Sequence, residues 1–349
     1  MTPNLRTNTV EGCGGSRLAV LALSSGACTL GRSVAEILGG DFFAARGCLK
    51  QVMAEVWASY REIVCIMAAG IVVRVIAPLL RDKTLDPAVV VCDEKGLFAV
   101  ALLSGHFGGA NELARRVAVV TSGQAVLTTA SDVLGRTPLD LWCRGLGLEP
   151  ADKAVFTRTM GSLVDRGMLT VWSRYPLPEL PLDLCLHDDQ STADLIVDSR
   201  AVSSERAAVL YPKALVVGIG CNRGTSAAAI AAAVESTCSV HGLAPKAVAR
   251  LASIDLKQDE AGLLAYARSC GLTIDFFGKD ALNRVEGIVA SATVQRVTGA
   301  KAVAEPAALL GAGPGGVLLA AKMKWTDVTV AVAEKADPFA TTTQGMNTQ

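Results

Sequence analysis

Residues 102–114, LLSGHFGGANELA, gather the groups in this chain best suited to moving a proton and holding a developing negative charge. An apolar run ending in Leu102 and Leu103 gives way to Ser104, Gly105 and His106, one of 3 histidines. Gly108 and Gly109 follow, then helical sequence carrying Asn111 and Glu112. Free imidazole titrates near ~6.5, so it can take or give a proton at neutral pH. Glycines at a strand-to-helix turn leave backbone N–H groups bare, and such a nest binds anions or stabilises an oxyanion. For an isolated histidine, a tight turn with its ring bonded to a carbonyl would be the simpler explanation. Four polar side chains beside three glycines favour a site.

Other stretches carry chemistry less plainly. In AAGIVVRVIAPLLRDKTLDPAVVV (68–91), Arg74 interrupts an apolar run, where an unpaired charge is costly unless it snorkels to solvent. Arg81, Asp82, Lys83 and Asp86 cluster before Pro87 and, taken alone, read as a solvated loop. GIGCNRGTS (218–226) follows an apolar strand and opens an alanine-rich helix, with Thr225 placed to be its N-cap. Its spacing, G-x-G-x-x-x-G, misses both the dinucleotide fingerprint and the Walker loop. An anion-binding loop with Arg223 fits better. Cys221 is a candidate nucleophile, although buried structural cysteines are far commoner. SIDLKQDE (253–260) sets Ser253, Lys257 and Glu260 around another strand-to-helix turn, and VAEPAALL (303–310) puts Glu305 at a proline-initiated helix.

The elements that must position these residues alternate in type. LAVLALS, EIVCIMA (62–68), AVVVCD (88–93), LFAVALLS (97–104) and QAVLTT (124–129) read as strands, and segments near 31–39, 47–59, 71–81 and 108–121 as helices. Glu94-Lys95-Gly96 makes the third and fourth strands a hairpin. From 214 the alternation returns: ALVVGIG, a helix over 225–239, AVARLASI, a helix over 258–269, LTIDFFG, a helix near 301–311 and a closing hairpin. The expected class is α/β, with two three-layer α/β domains of largely parallel sheet joined by a small middle module. The divisions are a flexible tail over 1–17, an N-terminal domain over 18–135, an irregular middle module over 136–212 with a proline-stiffened loop at 175–183, a C-terminal domain over 213–336, and a frayed tail over 337–349.

Composition narrows the partners. The 349 residues are 51% hydrophobic, and 33 basic residues balance 33 acidic ones. No global field recruits nucleic acid or anionic lipid, so an anionic ligand must be held by local clusters. Ten cysteines without C-x-x-C spacing fit a reducing, cytoplasmic setting. LAVLALSSGAC (18–28) has too short an apolar core for a secretory signal, and no apolar stretch is long enough to span a membrane.

Taken together, AAGIVVRVIAPLLRDKTLDPAVVVCDEKGLFAVALLSGHFGGANELARRVA, VLTTASD (126–132), VVGIGCNRGTS, LASIDLKQDEAGLLAYA, VTGAKAVAEPAALL and the closing K-x-K before VTVAVA resemble the CbiG family, the cobalt-precorrin-5A hydrolases of anaerobic cobalamin biosynthesis. The resemblance runs from about residue 18 to 333 and is loosest in the middle module. Phe107 stands where the family pattern suggests an aliphatic residue. The resemblance implies that water opens a δ-lactone on a ring-contracted cobalt tetrapyrrole, the former meso carbon leaves with its methyl group as acetaldehyde, and cobalt-precorrin-5B remains. Cobalt then arrives within the substrate, so no protein-held metal or organic cofactor is implied. His106 becomes the candidate base or acid, or an axial ligand to the substrate's cobalt. Gly108 and Gly109 N–H groups become oxyanion donors, with Asn111 and Glu112 orienting water or imidazole. Arg74, Lys83, Arg223 and Lys257 are expected to meet the substrate's rim carboxylates. Asp86, Ser104, Gly105, Gly220, Thr225, Ser253, Glu260 and Glu305 complete the expected substrate-binding set. The tetrapyrrole would lie between the two α/β domains, and neighbouring pathway methyltransferases are the expected protein partners. Two alternatives stay open: a covalent lactone hydrolase using Ser104 or Cys221, and a non-catalytic corrinoid carrier.

Overall fold

The computed structural model describes residues 18–82, 85–105 and 108–340. Lys83, His106, Phe107 and the expected tail over 1–17 lie outside the described residues. The chain divides into two compact units, residues 1–141 and 142–349.

The first unit runs β1 (Leu18–Ala22), α1 (Ser25–Leu38), β2 (Asp41–Ala44), α2 (Leu49–Ser59), β3 (Glu62–Ile66), α3 (Ala69–Ile76), β4 (Ala88–Cys92), β5 (Phe98–Leu103), α4 (Ala110–Thr121), β6 (Gln124–Val126) and α5 (Ala130–Val133), followed by α6 (Leu139–Gly145) at the boundary. Its sheet order is β2-β1-β3-β4-β5-β6, parallel except for the β4–β5 hairpin. β1 and β4 are buried at every position, because helices cover both faces. Val20, Val64 and Val90 pack with residues of α1 and α4 on one face, whereas Leu21, Cys65 and Val91 meet Met53 and Val72 from α2 and α3 on the other. Each fully buried leucine or valine contributes about 1.5–3 kcal/mol. The hairpin turn is held by Asp93, whose carboxylate accepts the Lys95 and Phe98 N–H groups.

The second unit carries two sheets. The middle segment runs β7 (Glu149–Pro150), α7 (Lys153–Arg166), β8 (Leu169–Ser173), β9 (Leu184–Leu186), β10 (Leu195–Val197) and β11 (Ala208–Tyr211), in sheet order β7-β11-β10-β8-β9. The expectation of an irregular module is therefore corrected: it has a five-stranded sheet of its own. Its strands span only 2–5 residues, too few for an apolar period to show. The C-terminal segment runs β12 (Leu215–Cys221), α8 (Ala227–Val240), β13 (Val248–Ile254), α9 (Ala261–Cys270), β14 (Ile274–Phe277), α10 (Lys279–Asn283), α11 (Ala292–Thr298), α12 (Ala304–Ala312), β15 (Val317–Lys324) and β16 (Val328–Glu334). Its order is β14-β13-β12-β16-β15, parallel on one side of β12 and antiparallel on the other. Cores on its two faces make it three-layered, with Ile230 and Leu263 from α8 and α9 beneath one face and Ala307 from α12 beneath the other.

Residues 337–340 correct the expected C-terminal tail. Phe339 is 2% exposed and meets Tyr175 edge-on, with ring centroids 6.5 Å apart. Nearby, Glu334 at the end of β16 accepts hydrogen bonds from the hydroxyls of Tyr175 and Ser199. An isolated aromatic after Asp-Pro has no periodicity to betray its burial.

Candidate functional site

Of the clefts beyond the carboxyl ends of strands, where open α/β sheets bind ligands, two carry residues expected from the sequence. The first, about 500 Å³, is lined by Gly105, Gly109, Asn111, Glu112, Arg115, Ser131, Asp132 and Arg136, among others. It opens past β5 and β6. Ser104 leaves β5 at φ 59, a left-handed conformation costly for a non-glycine residue, and its hydroxyl donates to the Asp86 carbonyl at 3.2 Å. The chain then folds back, so that Ala110 N–H reaches the Ser104 carbonyl at 3.1 Å and Asn111 N–H the Gly105 carbonyl at 3.0 Å. A Cβ on Gly108 would sit 2.4 Å from that of Ser104, which only glycine avoids. Among the described residues, the Gly108 and Gly109 N–H groups donate to no backbone acceptor.

Asn111 is 4% exposed and held by residues far along the chain. Its Nδ2 donates to Thr129 Oγ1 at 2.9 Å and to Asp132 Oδ2 at 2.8 Å, while Thr129 donates to the same Asp132 oxygen at 2.7 Å. Arg115 closes the network on Asp132 Oδ1 at 2.7 Å. A carboxylate only accepts, so the Asn111 amide has one orientation, and its Oδ1, against Gly105, has no partner among the described residues. Buried acceptors left unpaired are costly and mark places that need a donor. Glu112 is exposed, pairs with Arg115 at 3.5 Å, and occupies the first helical turn, where a negative charge suits the helix dipole. Thr129, Asp132 and Arg115 were missing from the sequence-based set. The segment TTASD was the available signal, but there Asp132 is indistinguishable from a residue in the first turn of a short helix.

The remaining N-terminal candidates lie elsewhere. Arg74 is exposed on α3 and donates to the Gly70 carbonyl of its own helix at 2.8 Å, so the charge in the apolar run is never buried. Asp86 is buried, and both its carboxylate oxygens accept the Arg81 N–H, closing the loop before β4.

The second cleft, about 470 Å³, is lined by Gly220, Cys221, Asn222, Arg223, Lys257, Lys322, Lys324, Trp325 and residues of α11. Arg223 donates to both oxygens of Asp259 at 2.8 Å, both side chains being well exposed. Lys257 bonds Glu260 Oε2 at 3.1 Å, and Glu260 Oε1 accepts Gly224 N–H at 2.9 Å. Three expectations change here. The N-cap of α8 is Ser226, whose hydroxyl accepts from Ala229 N–H, whereas Thr225 is buried and donates to the Asn222 carbonyl at 2.9 Å. Ser253 is 0% exposed and donates to the Ile219 carbonyl at 2.7 Å, so it ties β13 to β12 inside the sheet. Glu305 accepts Lys322 N–H at 3.1 Å and braces β15. Burial pushes the Cys221 thiol up, which keeps the thiol form at neutral pH and argues against it as a nucleophile.

Burial would raise Glu260, but the hydrogen bonds from Lys257 and Gly224 outweigh it and hold its carboxyl below the usual value. A depressed carboxyl stabilises the fold above its unfolded pKa and loses that stabilisation as pH falls through the folded value. Glu260→Gln is therefore expected to lower the melting temperature at pH 7. The gap to wild type should close as melts are repeated below about pH 4.3, the ordinary glutamate value. A gap independent of pH would show that the charge contributes nothing.

Sheets of the doubly wound type, with polar clefts at their strand ends, define an α/β protein whose chemistry is carried by loops. Residues 51–132 match the Cobalamin synthesis G N-terminal family and residues 215–333 the Cobalamin synthesis G C-terminus family. A cobalt-precorrin-5A hydrolase of Priestia megaterium is 37% identical over 308 residues, covering 82% of each chain. One from Salmonella typhimurium is 31% identical over 327 residues, covering 84% of this chain and 91% of its own. Protein CobE of Sinorhizobium sp is 35% identical over 124 residues, covering 35% of this chain and 80% of its own. The chain belongs to the cobalamin synthesis G family. No described helix is long and apolar enough to cross a membrane.

Proposed function

We propose that this chain is an enzyme that hydrolyses cobalt-precorrin-5A to cobalt-precorrin-5B, with loss of acetaldehyde. The carrying observation is that relatives with that activity in their names align with more than four-fifths of the chain. Water adds to the lactone carbonyl and the ring C–O bond breaks to leave a carboxylate and a carbinol. The carbinol gives up its O–H proton as the bond from its carbon to the macrocycle breaks. The macrocycle keeps that electron pair and takes up a proton, and the carbon departs with its methyl group as acetaldehyde. Cobalt enters and leaves inside the substrate.

The N-terminal cleft supplies groups for the first step. Gly108 and Gly109 N–H groups hold the tetrahedral oxyanion, a contribution worth roughly 3 kcal/mol for one well-placed donor. Asn111 Oδ1, oriented by Asp132, accepts a hydrogen bond from the attacking water. His106 is assigned from its place in the sequence between Gly105 and Gly108, as the base that takes the water's proton or the acid that protonates the leaving oxygen. Ligation of the substrate's cobalt is its rival role.

The test is anaerobic incubation of the purified chain with cobalt-precorrin-5A, with acetaldehyde trapped as it forms. Stoichiometric acetaldehyde is the expected result. Tight binding of the tetrapyrrole without acetaldehyde would make the chain a carrier instead.

A further inference from the structure

The K-x-K at the end of β15 plays no part in the chemistry above. Lys322 and Lys324 lie two residues apart on an edge strand, so they share one face, and both line the C-terminal cleft. The cleft's other cations are already engaged: Arg223 by Asp259 and Lys257 by Glu260. Its acidic side chain, Asp327, accepts from Asn222 Nδ2 at 2.9 Å. Among the described residues neither Lys322 nor Lys324 forms an ion pair. The strand is irregular between Ala320 and Met323, where Glu305 takes the Lys322 N–H, so the pair is held at a local bend.

The rest of the cleft wall is apolar and open. Trp325 is 36% exposed, with its indole N–H fixed on Thr237 Oγ1 at 3.2 Å. α11 buries none of its residues and presents Val294 and Val297 to the same cleft, Val297 being 75% exposed. Two unpaired ammonium groups beside an indole and a valine wall suit a ligand with separated anions and an apolar face. Residues i and i+2 of a strand are about 7 Å apart, a spacing that suits two carboxylates better than one compact phosphate.

We propose that the C-terminal cleft is a tetrapyrrole-gripping site, in which Lys322 and Lys324 bind rim carboxylates while Trp325 and Val297 cover the macrocycle face. The assignment rests on the hydrolase reading for the identity of its ligand. Aromatic contact and carboxylate pairing then act together, because the apolar wall lowers the local dielectric around the ion pairs.

The experiment uses the full chain and uroporphyrin, a stable octacarboxylate, followed by quenching of tryptophan fluorescence. Lys322→Ala/Lys324→Ala is expected to weaken uroporphyrin binding about tenfold at low salt, the scale of two partly exposed ion pairs, with the difference shrinking as salt rises. Trp325→Phe should remove most of the quenching while leaving affinity within about threefold. Lys322→Gln/Lys324→Gln should repeat the loss of affinity with an unchanged melting temperature. Unchanged affinity in both lysine pairs, or full quenching without Trp325, overturns the assignment. Wild-type acetaldehyde release together with lysine-independent uroporphyrin binding would sink this inference alone. Lysine-dependent binding without acetaldehyde release would sink the hydrolase reading and leave the cleft as a tetrapyrrole site.

Discussion

His106→Ala is expected to slow acetaldehyde release from cobalt-precorrin-5A by about 10²–10⁴-fold, the range typical of a lost general base or acid. The flanking backbone favours this residue. Gly105 and Gly109 line the cleft, Asn111 offers an acceptor there that no described residue engages, and the N–H groups of Gly108 and Gly109 donate to no described backbone acceptor. A proton-transfer group one residue from Gly105 completes the set that lactone hydrolysis requires. The loss should fall on kcat, because imidazole acts on the reacting atoms and adds little to ground-state binding. As a base, His106 works only when neutral, so wild-type kcat/KM should decline toward acid pH; as an acid it would give the opposite limb. If the ring instead ligates cobalt, the absorption spectrum of the bound tetrapyrrole will change on His106→Ala. Near-normal turnover by that variant would exclude the acid–base role, and an unchanged spectrum would exclude the ligand role. Ser104→Ala separates the covalent alternative: its hydroxyl is engaged with the Asp86 carbonyl, so turnover should be spared.

Much of the fold was legible because long strands and helices leave strong patterns. The β4–β5 hairpin was visible in its turn, and the order of elements from 214 onward follows the alternation of apolar runs with helical ones. β2 was not visible: DFFA lies at the sheet edge with Asp41 and Ala44 exposed, so neither burial nor alternation marks it. The middle sheet was hidden by the shortness of its strands. At the N-terminal cleft, adjacent glycines and nearby polar residues pointed to LLSGHFGGAN, but Asp132 sits 21 residues beyond Asn111 and is joined to it only by folding. Side-chain direction was the other missing quantity. Thr225 sits at a strand-to-helix turn as expected, whereas Ser253 lies within β13, and both hydroxyls turn inward to carbonyls. K-x-K was plain in the sequence, but that its lysines share a cleft with Trp325 and α11 follows only from the fold.

Gly218→Ala is expected to be the most destabilising of these substitutions, by about 3 kcal/mol or more, at the upper end of overpacking costs. The GIG of GIGCNRGTS suggested a ligand loop, but only its second glycine reaches the cleft. Gly218 lies within β12, paired with Ala252 and Ala331. A Cβ there would fall 1.9 Å from the Ala304 carbonyl oxygen and 2.8 Å from Ala308 N. Those atoms belong to the α12 backbone, so no rotamer change relieves the clash; the helix must lift from the sheet or the strand must bend. Either movement opens the core around Val216 and Ala307. The melting temperature should drop by about 6–12 °C, at 2–4 °C per kcal/mol for a unit of this size. Gly161→Ala is the contrasting case: it lies within α7, where a Cβ meets nothing within 4 Å. Helix propensity then acts alone, and a gain of about 0.5–1 kcal/mol is expected. If Gly218→Ala melted like wild type while Gly161→Ala rose, α12 would not seat on β12 as closely as the 1.9 Å approach requires.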